Sequence, residues 1–206
     1  MAYTMEEKYE LIKKEVAKYT SKNPIEIIKS IMKKDYINIH GPEHHFLDGA
    51  SFLIAYKNAG GMMDIDNALD KLAERSIKMP GAICGYWGVC GSSTSLGAAL
   101  AIIHETGPLS NNEFYKHNME FTSKVTAIMA KIGGPRCCKR NAFISISNAV
   151  MVGMESYERK VKRKSKEQLR KVANSRYETK TNLKKSNCSQ KSLKKEVIKK
   201  IKNAHI

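Results

Sequence analysis

CCKRNAFISISNAVMVGM, residues 137–154, is the stretch on which the fold class turns. Its middle, Ala142-Phe143-Ile144-Ser145-Ile146-Ser147, alternates apolar and polar residues as a half-buried strand does. The apolar pattern nevertheless runs on through Asn148-Ala149 and beyond the length of an ordinary strand, which favours a helix. No convincing set of strands occurs elsewhere in the chain. The class expected is therefore all-α: a single compact helical domain with a basic C-terminal extension.

Working back from that stretch, the other segments carry helix punctuation. Tyr9, Leu11, Ile12, Val16 and Tyr19 recur at helical spacing, with Glu-to-Lys pairs on the exposed face. Asn23-Pro24 supplies a cap followed by a proline at the first helical position. HGPEHHFLDGASFLIAYKNAGG (40–61) has Pro42 near its start and Gly60-Gly61 as its stop. DIDNALDKLAERSIKM is amphipathic and ends before Pro80. SSTSLGAALAIIHET predicts a helix capped by Ser92, Ser93 or Thr94. In SNNEFYKHNMEFTSKVTAIMAKIGG, Ser110 lies three residues before Glu113, a capping-box spacing, and Gly133-Gly134 closes the segment.

The 206 residues, 42% of them hydrophobic, suffice for one medium-sized domain with a core and an appendage. The formal charge of +16 is unevenly spread: residues after Met154 carry 18 Lys and Arg against 5 Asp and Glu, and the remainder is nearly balanced. This divides the chain into N-terminal helices packing on the core (1–37), a Cys- and His-containing helical core (38–154) and a Lys-rich helical or partly disordered tail (155–206). No run is apolar enough to cross a bilayer, so no membrane insertion is expected. The first twenty residues lack a signal-peptide pattern, and an odd count of five cysteines fits reduced thiols better than a disulfide scaffold. A cytoplasmic location follows as the expectation.

Four of the five cysteines lie in two glycine-bounded segments, GAICGYWGVCG and GGPRCCKRNAF. Six residues apart on a helix, Cys84 and Cys90 would point about 120° away from each other. Gly85, Gly88 and Gly91 instead favour a loop that folds back, aims both sulfurs at one point and turns backbone N–H groups inward. Such a loop suits a metal, an iron–sulfur cluster or an anion. The bare C-x5-C spacing is a weak zinc signature, because familiar zinc pairs have two to four intervening residues. Cys137 and Cys138 follow Gly-Gly-Pro and are expected to open a helix. The helix dipole and Arg136, Lys139 and Arg140 all favour thiolate there. Free cysteine also serves often as a small buried hydrophobe.

In HGPEHHFLD, His44 and Asp48 share a helix face at i, i+4, so the carboxylate can orient the imidazole as partners of metal-bound histidines do. His45 is expected to point elsewhere, and His40 joins His44 as a possible ligand. A histidine pair at a helix start is equally at home on a surface. Ser92 opens a small-residue turn of the kind that binds anions, although it lacks the lysine of a P-loop. The competing expectation is a helix kept small so that a neighbour packs close. Tyr86 and Trp87 would cover a bound cofactor or belong to the core.

The block from HGPEHHFLDGASFLIAYKNAGG through MPGAICGYWGVCGSSTSLGAALAIIHETGPLS to GGPRCCKRNAFISI resembles an uncharacterised Cys-containing domain family of anaerobic bacteria and archaea. Some members resemble the C-terminal part of proteins that also carry an S-adenosylmethionine-dependent methyltransferase domain. The resemblance spans residues 38–150 and implies a common fold and a shared site, without an established reaction. No strand–GxGxG–helix unit occurs here, so methyl transfer is not implied. Relatives end in a cysteine-richer tail, where this chain has only Cys188.

Three functions compete. The first is a cysteine-centred site for zinc or an iron–sulfur cluster, with Cys84, Cys90, Cys137, Cys138, His44 and His40 as ligands. Gly85, Gly88, Gly91, Ser92 and Arg136 would line the cofactor. The second is a metal-free thiol redox or transfer enzyme that uses the Cys137-Cys138 pair on an unidentified small-molecule or protein substrate. The third is weak, non-specific nucleic-acid binding through residues 155–206. Deleting the residues after Met154 is expected to abolish retention on a polyanion column with the core still folded. Undiminished retention would place any such surface elsewhere.

Overall fold

The computed structural model describes residues 3–153, and every regular element among them is a helix. The fold is all-α. The chain divides into two compact units, Met1–Tyr157 and Glu158–Ile206, and all described residues belong to the first. The basic extension, with Cys188 and His205, lies outside the described residues. The elements are α1 (Met5–Val16), α2 (Pro24–Ile31), α3 (His44–Asn58), α4 (Ile65–Ile77), the short α5 (Ile83–Tyr86), α6 (Gly91–His104) and α7 (Glu113–Ile132). An eighth helix, α8, covers 138–153. None of the described helices is long and apolar enough to cross a membrane.

α3 is the axle. Every residue from His44 to Tyr56 is buried, the pattern of a helix enclosed on all sides. α1, α2, α4 and α6 pack around it, and α6 in turn carries α7. From α1 and α2, Ile12, Val16, Ile27, Ile28 and Ile31 are fully buried against this centre. Each such side chain contributes about 1.5–3 kcal/mol relative to exposure. α8 closes the bundle through Ala142, Ile146 and Ala149, all at 0% exposure, with Ser145 beside them. Their spacing of three and four residues is that of one helix face, which resolves the ambiguous 142–147 stretch as helix.

Local punctuation behaves largely as the sequence suggests. Asn23 caps α2 ahead of Pro24 by accepting from the Ile25 N–H. Thr4 and Glu7 form a reciprocal capping box at α1. Two caps fall elsewhere. α6 begins at Gly91 with Cys90 as its N-cap, because Ser92 and Ser93 direct their hydroxyls to the Asn141 and Thr122 carbonyls of neighbouring helices. α7 is capped by Asn112, whose Oδ1 accepts from the Phe114 and Tyr115 N–H groups, while Ser110 accepts from Gly107 N–H.

The small residues of α3 and α6 exist for close packing. A Cβ on Gly49 would stand 2.9 Å from both Leu72 Cδ2 and Ser95 Oγ and 3.0 Å from the Ser95 carbonyl. One on Gly97 would meet Thr122 Cγ2 at 2.6 Å. Gly49 N–H donates to Ser95 Oγ across the same crossing at 3.0 Å. Gly49→Ala is therefore expected to destabilise the protein by about 1–3 kcal/mol in urea titration, as overpacking does. Gly85→Ala, where a Cβ meets nothing within 4 Å, should leave the midpoint nearly unchanged. Equal midpoints for the two variants would contradict the tight α3–α6 crossing.

Candidate functional site

The site begins with a buried latch below the start of α3. Glu43 is fully buried, and its Oε1 accepts from the Asn38 N–H at 2.6 Å and from Lys8 Nζ at 3.3 Å. Tyr9 donates its hydroxyl to the Pro42 carbonyl at 3.3 Å. Burial first, and then the Glu43 charge, push the Tyr9 phenol well above its ordinary value, so it remains a donor. These bonds from α1 fix loop 38–43, and the loop positions the chemistry that follows.

The Asn38 carbonyl accepts from His44 Nε2 at 3.1 Å. That bond leaves His44 Nδ1 turned to Asp48 Oδ1 one helical turn on, at 3.5 Å, with side-chain exposures of 3% and 0%. Neither Nδ1 nor either carboxylate oxygen of Asp48 has a hydrogen-bond partner. Burial opposes a charge on His44, but the Asp48 carboxylate and the Asn38 carbonyl outweigh it and raise the imidazole above its ordinary value. His45 is shifted the other way: burial dominates and favours the neutral ring. Its ring lies against α6, where a Cβ on Gly91 would meet it at 2.1 Å.

Around this pair the two cysteine segments meet. A small, partly open cavity of about 30 Å³ is bounded by His44, His45 and Asp48 from α3, Cys84 from α5, and Cys90, Gly91 and Ser92 at the start of α6. Arg136, Cys138 and Asn141 from the α8 segment complete its wall. Its volume is that of one or two waters or an ion. Cys84, Cys90, Arg136 and Asn141 also line a wider, open groove of about 340 Å³ that includes Gly85, Gly88, Met129 and Arg140. Asn141 Nδ2 donates to Cys90 Sγ at 3.3 Å, tying α8 to the start of α6.

Cys137 stands apart. It is the N-cap of α8: its carbonyl accepts from Asn141 N–H, and its Sγ accepts from Arg140 N–H at 3.4 Å. Cys138 faces the inner cavity instead. Burial pushes its thiol up, against the opposing pull of the Gly41 N–H and the Arg136 charge. The direction is the reverse of what the neighbouring cations suggest, because desolvation outweighs them. His40 is exposed and borders neither space. Tyr86 and Trp87, 80% and 63% exposed, belong to neither the core nor the lining. His45 has different surroundings from His44, with its ring against Gly91, and it also borders the cavity. Gly41 and Asn141 carried no sequence signal beyond their proximity to the histidine and cysteine motifs. As placed, no three His, Cys, Asp or Glu side chains among the described residues converge closely enough to form a complete metal-ligand set.

Residues 12–200 match the family of unknown function DUF5714. The chain belongs to this family. The match takes in all of the cavity-lining segments and extends on both sides of the 38–150 block. No curated protein and no solved structure matches the chain.

The latch gives a stability test. Lys8→Met leaves the Glu43 carboxylate buried without its cation and is expected to cost about 3 kcal/mol. The double variant Lys8→Met/Glu43→Gln removes the stranded charge and should recover most of that loss. A Lys8→Met midpoint equal to that of the parent protein in urea would show that Lys8 does not neutralise Glu43.

Proposed function

We propose that this DUF5714 domain binds one divalent transition-metal ion in the inner cavity, with His44 Nδ1 and Asp48 Oδ1 as the first pair of ligands and cysteine thiolates completing the set. The observation that carries the reading is the 3.5 Å separation of those two buried, unpartnered atoms. It is long for a hydrogen bond. Two donors on one tetrahedral zinc ion, each about 2.0–2.2 Å from the metal, stand roughly 3.4 Å apart. The Nε2–H bond to the Asn38 carbonyl is also the outer contact that metal-ligating histidines make, and it leaves Nδ1 as the nitrogen that would bind the metal in exchange for its proton.

Electrostatics supports a cation at this position. Asp48 is the one carboxylate among the described residues lining this space, and neither of its oxygens has a hydrogen-bond partner. A bound metal would take the place of the proton on His44 Nδ1 and displace the Cys138 proton that burial otherwise retains. Cys84, Cys90 and Cys138 line the same cavity as the pair. A mixed nitrogen, oxygen and sulfur set suits zinc, or ferrous iron under the anaerobic conditions that the resemblance implies. An iron–sulfur cluster on four thiolates fits less well, since Cys137 is engaged at the α8 cap.

Metal-free protein titrated with zinc against a chromophoric chelator is expected to bind one equivalent. His44→Asn or Asp48→Asn should weaken that binding by more than about tenfold. Zinc should protect Cys84, Cys90 and Cys138 from alkylation while leaving Cys137 reactive. Sub-stoichiometric binding, or protection of Cys137 with the other three unprotected, would sink this reading and leave metal-free thiol chemistry in its place.

A further inference from the structure

The outer groove has a composition of its own. Two arginines line it, Arg136 and Arg140, and no carboxylate does among the described residues. Arg140 is committed to the fold: its Nε donates to Asn141 Oδ1 at 3.2 Å and its guanidinium to the Gly133 carbonyl at 3.1 Å. No described ion pair or hydrogen bond occupies the Arg136 side chain. It borders both the groove and the inner cavity, as Cys84, Cys90 and Asn141 do. The positive end of α8 begins beside it. Away from that end the wall turns apolar, with Val89, Met129 and Ala130.

From this juxtaposition we infer that the groove is the binding site for a small organic carboxylate, its head group on Arg136 at the mouth of the inner cavity and its hydrocarbon part along Val89, Met129 and Ala130. An uncommitted guanidinium presents a fork of donors that matches a carboxylate in two parallel hydrogen bonds. The volume of about 340 Å³ lies at the lower end of small-molecule sites, which favours a short-chain acid over a nucleotide or a polymer. The exposed backbone at Gly85, Gly88, Gly133 and Gly134 lets the ligand approach without side chains in its way. Placement on Arg136 brings the carboxylate to the wall shared with Cys84 and Cys90, the thiols common to both spaces. The inference deepens the proposed function by naming the ligand class of the same site, yet it requires no metal to be present.

The test uses full-length, chelator-treated protein and the sodium salts of acetate, butanoate and hexanoate, with butylammonium chloride as the cationic counterpart. Amide shifts in nitrogen-edited NMR spectra provide the readout. Saturable shifts are expected at Gly85, Gly88, Gly133 and Gly134, with affinity rising from acetate to hexanoate and no saturation by butylammonium. Arg136→Gln should weaken hexanoate binding by about tenfold or more, the loss of one charged hydrogen-bonded pair. Lys116→Gln, on the exposed face of α7, should change nothing. Val89→Ser should narrow the difference between hexanoate and acetate. Unchanged binding in Arg136→Gln, equal binding of butylammonium, or no saturation by any carboxylate would overturn the inference. Asp48→Asn separates the two readings, since zinc binding should fall while hexanoate binding persists. Loss of both together would show that the carboxylate reports only on the fold of the inner cavity, and would overturn the groove as an independent site.

Discussion

The enclosure of α3 governs the rest of this molecule. A helix surrounded on every side cannot leave polar side chains to water, yet its first turns and the residue before them contribute Glu43, His44, His45 and Asp48, all buried. Each must find a partner inside or carry a desolvation cost of several kcal/mol when charged. Glu43 finds Lys8 and the Asn38 N–H. His44 finds the Asn38 carbonyl, and Asp48 finds only the near approach of His44. The remaining imbalance sits at the cavity where the cysteines gather. A polar end and an apolar body on one helix thus separate the task of holding the bundle from the task of presenting a site.

That separation explains the service performed by loop 38–43. One backbone segment donates its Asn38 N–H to Glu43, offers its Asn38 carbonyl to His44, and brings Gly41 N–H to Cys138. Lys8 and Tyr9 on α1 hold the segment from beneath. The N-terminal helix is therefore more than a cover over the core: it holds the loop whose Asn38 carbonyl orients the imidazole.

Much of this was legible in the residues. Asn23-Pro24 and Gly60-Gly61 mark helix ends by local chemistry that needs no tertiary partner, so those boundaries follow from the sequence. The caps of α6 and α7 do not, because several adjacent Ser, Thr and Asn residues compete and neighbouring helices decide which hydroxyl is free to cap. Clustering of thiols beside glycines signalled that the two segments come together, and Cys84, Cys90 and Cys138 do line one cavity. Which of Cys137 and Cys138 faces it depends on where α8 begins, a one-residue matter that pattern alone leaves open. The i, i+4 relation of His44 and Asp48 was visible, whereas the orphaned carboxylate was not. Burial on all sides is a property of the assembled bundle rather than of the helix.

His45 shows why such a site resists motif reading. Successive residues on a helix diverge by about 100°, so two adjacent histidines should serve different surroundings. Here both border one cavity, and α6 starts with Gly91, where a methyl group would occupy the space of the His45 imidazole ring. Gly91 is thus required by close approach, not by a turn, since its φ is not positive. The spacing of glycines in the segment looked like a recipe for loop flexibility. In the folded chain one of them supplies flexibility and another supplies room: Gly88 takes the left-handed backbone at φ 68° that reverses the chain after α5. A motif defined by the cysteines alone would miss both, and with them the reason that thiols from two separate segments share a wall with the start of α3.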